Sequence, residues 1–336
     1  MSKRKVGVIG VGSMGKNHVR AYAALNQMCE LIGVYDINDE RKNEIANSYG
    51  VKAFDSNQEL MKEVDAVNIA TPTTTHYEIA DRALEEGLHI LVEKPITDSL
   101  EEAKNLLRKA NEKDLRVQVG HIERFNPAIQ ALPGVLQDKE VLALDVHRLG
   151  PYDPRIDDTD VIQDLMIHDM DIVSSLVPGE IKDLSAFGRN VASNSHIDYA
   201  VANIRIDGGV IATLTASRAT NKKVRQMAIT TKNTYIELDY LQRKIKVTRR
   251  GGIRSDKSGY QRENELEETY GSEEEPLKSQ LAHFLRSIEN GTRPLINGSD
   301  GMEALKLTKK IQNLVYNKSE NCERLNETKD SYSLSG

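Results

Sequence analysis

Short runs of β-branched and aliphatic residues alternate with longer stretches of helical spacing through the first 120 residues. The runs are KVGVIG (5–10), LIGVYD (31–36), AVNIA (66–70), HILVE (89–93) and RVQVG (116–120). Continuous apolar strands separated by helical segments predict a parallel sheet covered on both faces, because each parallel connection needs a crossover long enough for a helix. Leu100, Ala103, Leu106, Leu107 and Ala110 share one helical face, and Asp98 with Glu101 three residues later predicts a capping box at its start. After residue 140 the period changes to two: VLALDVHRL (141–149), AVANIRI (200–206), VIATLTASR (210–218), QMAITTKNTYIELDY (226–240) and KIKVTRR (244–250). Asp207-Gly208-Gly209 and Lys232-Asn233 supply turn signals between these runs, so the second sheet is expected to be open and mostly antiparallel. Helices cover one of its faces, and apolar positions remain on the other, where a homodimer or homotetramer contact is expected.

Residues 251–275 are polar, with seven glutamates between Glu263 and Glu275, and read as a solvated loop or flexible hairpin. A helix is predicted next, with Pro276 in its first turn, Leu277, Leu281, Phe284, Leu285 and Ile288 on one face, and Gly291 past its end. The polar tail from about Asn317 is read as partly mobile. The pattern divides the chain into an α/β domain over residues 1–121 and an α+β domain over 122–336, whose C-terminal helices are available to pack back on the first.

A length of 336 residues suits two domains with a core each. Hydrophobic residues at 39% and charged residues at 29% are those of an ordinary globular protein. Cys29 and Cys322 lie far apart, so no disulfide framework or clustered metal site is indicated. MSKRKVGVIG lacks the apolar core of a signal peptide, and no run approaches the ~20 apolar residues of a membrane helix. A cytoplasmic location is therefore expected, and the Asn-x-Ser/Thr triplets at Asn297, Asn317 and Asn326 are read as chance. The net charge of −6 disfavours a nucleic-acid partner, which leaves a small molecule as the expected ligand.

Gly10-Val11-Gly12-Ser13-Met14-Gly15 follows the first apolar run and opens a helical stretch from Lys16 to Leu25. In that setting the glycines allow a tight turn, close approach of a pyrophosphate and close helix–strand packing. Asp36 stands at the end of the second run, where a carboxylate accepts bonds from ribose hydroxyls and repels a 2′-phosphate. NAD is thus the expected cofactor, with NADP left open by the nearby Arg41. Glu93-Lys94-Pro95 closes the fourth run, at the sheet edge where open α/β folds bind ligands.

Together with TPTTTHYEIA (71–80) and Asn297-Gly298-Ser299-Asp300-Gly301, these motifs resemble the glucose-fructose oxidoreductase, inositol dehydrogenase and rhizopine-catabolism (Gfo/Idh/MocA) family. The resemblance implies a Rossmann domain followed by an open-sheet domain, and NAD(P)-linked oxidation of secondary hydroxyls on sugars, sugar nucleotides or cyclitols. By that resemblance Lys94 is the active-site lysine, and Thr71, Pro72 and His76 line the nicotinamide side of the cofactor, beside Glu93.

Asp164, His168 and Asp171 fall at i, i+4 and i+7, on one face of a helix. Two carboxylates and one histidine make a poor zinc site, so no metal is expected. A carboxylate that holds an imidazole suits a general base, and the segment matches the family's D-x-x-x-H signature. On that reading His168 takes the hydroxyl proton, Lys94 stabilises alkoxide charge and Asp164 tunes the pair. GHIERFNPA (120–128) and RLGPYDPR (148–155) place Glu123, Arg124, Asn126, Tyr152 and Arg155 on loops suited to anionic substrate groups, with ordinary salt bridges and turns as the other explanation. With DLMIHDMDIV (164–173), these segments resemble the subgroup that oxidises UDP-N-acetylglucosamine at its 3-hydroxyl. An inositol or simple sugar dehydrogenase is the alternative within the family, and an NAD-binding sensor without turnover is the alternative outside it.

Overall fold

The computed structural model describes residues 3–153, 159–256 and 259–332. The chain divides into two compact units, Met1–Asn126 with Glu273–Leu305 and Pro127–Ser272 with Lys306–Gly336.

The first unit opens with β1 (Arg4–Ile9), α1 (Gly15–Ala24), β2 (Cys29–Tyr35), α2 (Asp39–Tyr49), β3 (Lys52–Ala53), α3 (Asn57–Met61) and β4 (Ala66–Ile69). It continues through α4 (His76–Glu85), β5 (His89–Val92), α5 (Leu100–Glu112) and β6 (Val117–Val119). The six strands form one parallel sheet in the order β3-β2-β1-β4-β5-β6, whose sense of progression reverses beside β1, the place where such sheets open a ligand crevice. Both faces are covered, so the strands bury apolar side chains on both sides: one core gathers Val6, Val8, Val19 and Tyr22, the other Ile9, Val67, Ile90 and Leu106. The five expected strands form, and β3 is an addition too short for periodicity to reveal.

The cap of α5 differs by one residue from the expectation. Ser99 Oγ accepts from Glu102 N at 3.2 Å, and Glu102 Oε2 accepts from Ser99 N at 3.0 Å. Asp98-x-x-Glu101 and Ser99-x-x-Glu102 carry the same signature, and the extended backbone of Ser99 decides between them.

The second unit begins with α6 (Pro127–Leu136) and β7 (Val141–Leu149). A π-helical turn (Ile162–Met166) leads into α7 (Ile167–Leu176), followed by β8 (Ile181–Arg189), β9 (Tyr199–Ile206), β10 (Ile211–Ser217), β11 (Val224–Thr231), β12 (Thr234–Asp239), β13 (Lys244–Asp256) and β14 (Gly259–Tyr270). These eight strands form a sheet in the order β14-β13-β12-β11-β7-β10-β9-β8. Its paired strands run antiparallel except β7 and β10, which are parallel and end at the same edge. Both turn signals are met, between β9 and β10 and between β11 and β12. The acid-rich stretch lies largely in the β13–β14 hairpin. Alternation leaves Phe187 61%, Ile211 52%, Tyr235 40% and Tyr199 39% exposed along the strands.

The chain then adds α8 (Pro276–Glu289) to the first unit, where Leu277, Leu281, Phe284, Leu285 and Ile288 are buried as their spacing predicted. Each such side chain contributes about 1.5–3 kcal/mol of apolar burial. The last helix, α9 (Gly298–Tyr332), continues through the stretch read as a partly mobile tail.

Candidate active site

In the first unit the loops after β1, β2, β4, β5 and β6 meet at the carboxyl edge of the parallel sheet. Gly10 adopts φ 85° with a would-be Cβ only 2.7 Å from Ala70 O, and a Cβ on Gly15 would lie 1.8 Å from Gly10 O. Side chains are excluded at both, and the start of α1 is thereby drawn against β1. Gly12 instead faces open space, with Arg41 Nη1 3.7 Å from its would-be Cβ. The chain thus provides what a dinucleotide needs, a close-packed turn with backbone open to a pyrophosphate at a helix start. Ser13 is exposed and Met14 half-buried on the same loop. Asp36 accepts from Val11 N and Asn38 N, each at 2.8 Å, and its Oδ2 lies 3.5 Å from Arg41 Nη1. Its charge is held at the end of β2, where a ribose would lie.

Glu93 is buried and binds His18 Nε2 of α1 at 2.8 Å. Its Oε2 also accepts from Lys94 N at 3.4 Å, and the Lys94–Pro95 bond is cis. Burial pushes the Glu93 carboxyl up, but the His18 hydrogen bond and the charges of His18, Lys94 and His76 outweigh this and hold it below the ordinary range. His76 ties two loops together: Nδ1 lies 2.8 Å from Pro95 O and Nε2 2.9 Å from Thr71 O. A neutral ring donates to one of these carbonyls and a protonated ring to both; burial nevertheless sets its pKa below the usual value. Thr75 Oγ1 lies 2.8 Å from Thr71 Oγ1 and from Pro72 O, which closes the same loop. Half-buried Lys94 thus stands on a base fixed from α1, β4 and β5.

After β6, Asn126 Nδ2 lies 3.5 Å from Glu123 Oε2, and Arg124 Nη2 lies 3.9 Å from Asp300 Oδ1. Asp300 also accepts from Asn297 N at 2.8 Å, which makes it part of the start of α9.

In the second unit the uniform helix expected across Asp164, His168 and Asp171 does not form. The π turn is wider than an α turn, so the i, i+4 relation of Asp164 and His168 is not that of one α-helical face. Asp160 caps this turn, accepting from Ile162 N at 3.0 Å and Gln163 N at 2.8 Å. Its other oxygen accepts from Gln312 Nε2 at 2.8 Å and Tyr316 OH at 2.9 Å. Asp164 Oδ2 accepts from Arg218 Nη2 at 2.6 Å, while Arg218 Nη1 donates to Thr159 O at 2.8 Å. His168 is half-buried in the first turn of α7, and Asp171 is buried. Its neighbour Asp169 receives both Arg148 Nη2 at 2.7 Å and Nε at 2.8 Å, which bolts α7 to β7. Tyr152, Asp164 and Arg218 line a concavity of about 350 Å³. Arg155 lies outside the described residues.

Comparison with known proteins bears on both units. Residues 4–121 match the oxidoreductase family with an NAD-binding Rossmann fold, and residues 145–237 match the Gfo/Idh/MocA C-terminal domain. The UDP-N-acetylglucosamine 3-dehydrogenase of Acidithiobacillus ferrooxidans is 41% identical over 253 residues, 75% of this chain and 79% of that protein. This chain belongs to the Gfo/Idh/MocA family.

It is accordingly a dehydrogenase that acts on CH–OH groups with a nicotinamide coenzyme. A solved structure of the Acidithiobacillus enzyme matches with a TM-score of 0.85 at 34% identity, over 94% of this chain and 98% of that one. The scyllo-inositol 2-dehydrogenase (NAD(+)) of Bacillus subtilis is 30% identical over 227 residues, 63% of this chain and 66% of that protein. Among the described residues of this Gfo/Idh/MocA member, no group of three or more His, Cys, Asp or Glu could hold a metal ion. Nor, among them, is any helix long and apolar enough to cross a membrane. Sequence reasoning missed Arg218, Asp160 and His18. Arg218 follows an alternating strand and Asp160 precedes the π turn by two residues, but only their partners from distant segments give them meaning.

Proposed function

We propose that this dehydrogenase oxidises the 3-hydroxyl of a UDP-N-acetylamino sugar and uses NAD in preference to NADP. The observation that carries the reading is the likeness to the Acidithiobacillus UDP-N-acetylglucosamine 3-dehydrogenase, at 41% identity in sequence and across 94% of the chain in fold. The coenzyme preference rests on Asp36, a carboxylate fixed by two backbone N–H groups where a 2′-phosphate would meet its charge.

A bound nicotinamide supplies the hydride acceptor. Lys94 orients the hydroxyl and stabilises negative charge on its oxygen, held in place by the Glu93–His18 bond and by the His76 tie. His168 takes the hydroxyl proton, and Asp164, held by Arg218, favours the protonated imidazole. Glu123, Arg124, Asn126, Tyr152 and Arg155 contact the substrate. The partly apolar open face of the second sheet forms a homodimer or homotetramer contact, and the enzyme works in the cytoplasm.

The test is an absorbance assay at the reduced-nicotinamide band with UDP-N-acetylglucosamine, hexoses and inositols, each with NAD and with NADP. The reading expects turnover of the UDP-sugar with NAD. Turnover of an inositol with none of the UDP-sugar would establish the alternative.

A further inference from the structure

A π turn is uncommon in a helix and is often found at functional sites. The opening of this one is accounted for bond by bond. Val161 N donates to Ile197 O at 3.0 Å. Ile162 N and Gln163 N donate to Asp160 Oδ1, and Asp164 N donates to Asp160 O at 3.1 Å. One residue therefore satisfies the first three N–H groups of the turn, and the last of them belongs to Asp164 itself.

Asp160 is in turn fixed from α9. Its Oδ2 accepts from Gln312 Nε2 and Tyr316 OH, side chains four residues apart and so on one helix face. Gln312 Nε2 also lies 3.3 Å from Gln163 Oε1, so this face of α9 grips two residues of the segment. Asp160 is buried, and with two donors on each oxygen its carboxylate has a single orientation. Arg218 holds the Asp164 carboxylate and also Thr159 O, the carbonyl directly before Asp160. Asp164 is thus fixed at its backbone through Asp160 and at its side chain through Arg218. A turn that reverted to the α pattern would rotate Asp164 about the helix axis by up to about 100°, one residue's share of an α turn. Misplacing a reacting group by about 1 Å is enough to cost about 10²-fold in rate.

We infer that Asp160, Gln312 and Tyr316 are positioning residues for the reaction: α9 holds Asp160, Asp160 holds the π turn, and the turn sets Asp164 relative to His168. They act through Asp164 and not on the substrate. The inference rests on the reading of His168 as the base with Asp164 as its partner.

Asp160→Asn separates the two halves of this clamp. The amide oxygen still caps Ile162 N and Gln163 N, while the amide NH2 replaces the acceptor that Gln312 and Tyr316 use. Gln312→Glu sets a carboxylate against that of Asp160, and the two changes together restore a donor–acceptor pair with the roles exchanged. These variants, their combination, Tyr316→Phe and His168→Ala are assayed for kcat and KM with UDP-N-acetylglucosamine and NAD, below the melting midpoint of every variant, with NAD affinity read in the same samples. Asp160→Asn and Gln312→Glu are each expected to lower kcat about 10–100-fold while KM and NAD affinity hold. The combination recovers most of kcat, and Tyr316→Phe, which loses one donor of two, falls between Asp160→Asn and the wild type. Unchanged kcat in both single variants, with turnover lost in His168→Ala, would overturn the positioning role and leave the base reading standing. A combination no better than the poorer single variant would overturn the link from α9. Turnover retained in His168→Ala would overturn the base reading and the positioning role together. Should the wild type oxidise a different sugar, the substrate reading falls and the same variants, assayed with that sugar, decide the clamp.

Discussion

The Arg148–Asp169 pair offers a prediction whose size follows from its burial. Side-chain exposures of 4% and 2% and two bonds of 2.7 and 2.8 Å make it a desolvated, bidentate pair. Arg148→Met removes the bidentate partner of a buried carboxylate, which costs about 3–5 kcal/mol. Asp169→Leu removes the bidentate carboxylate from the buried guanidinium at similar cost, whereas the double variant carries apolar groups of comparable volume and returns close to wild-type stability. At about 2–4 °C per kcal/mol for a unit of this size, each single variant lowers its melting midpoint by roughly 6–20 °C. Far-UV circular dichroism melts at pH 7 supply the measurement, with midpoints compared in the four corners of the cycle. A drop under about 2 °C in both single variants, or a double variant less stable than either, would refute the reasoning. Because Asp169 adjoins His168 in the first turn of α7, both single variants are also expected to lower turnover.

Other outcomes follow from the same structure. Glu93 has a depressed pKa, so its contribution is present above the ordinary glutamate value and lost as pH falls through the lower, folded one. In His18→Phe burial dominates and the carboxyl rises, so the stability lost on acidification through the glutamate range shrinks or reverses, and the variant's midpoint relative to the wild type rises as pH falls; a difference that stays constant with pH would count against the pairing. Burial, with the charges of Arg4 and Arg116, pushes His89 down to about 4, and its Nδ1 accepts from Arg116 N at 3.0 Å. The fold favours the neutral ring, so stability falls as pH drops from about 6.5 toward that value. His89→Asn removes this term, and its stability relative to the wild type rises across the window; a constant difference would speak against it. Phe187→Asp with Ile211→Lys places charge on the exposed sheet face and is expected to reduce the mass found by light scattering to that of one chain. An unchanged mass would move the contact elsewhere.

The parallel sheet and its cradle were legible because they are local. The apolar runs lie within the first 120 residues, the glycine spacing and Asp36 within the first 36, and each signal is carried by residues close together in the chain. The face of α8 was legible for the same reason. The capping register of α5 was ambiguous by one residue because two overlapping signatures compete. The π turn was not legible: apolar spacing that suits an α-helix also suits a short wide turn, and here capping by Asp160 and the bond from Arg218 to Asp164 accompany it. His18 was invisible for a related reason, since its partner Glu93 is 75 residues away.

The account turns on which carbon gives up hydrogen. UDP-N-acetylglucosamine deuterated at C3 alone, incubated with the enzyme and NAD, is the direct measurement, with the reduced coenzyme analysed by mass spectrometry and NMR. The account predicts deuterium on nicotinamide C4, and loss of that transfer when Lys94 or His168 is replaced by alanine. Reduced coenzyme that forms from this substrate without deuterium, or transfer that survives both replacements, would contradict it.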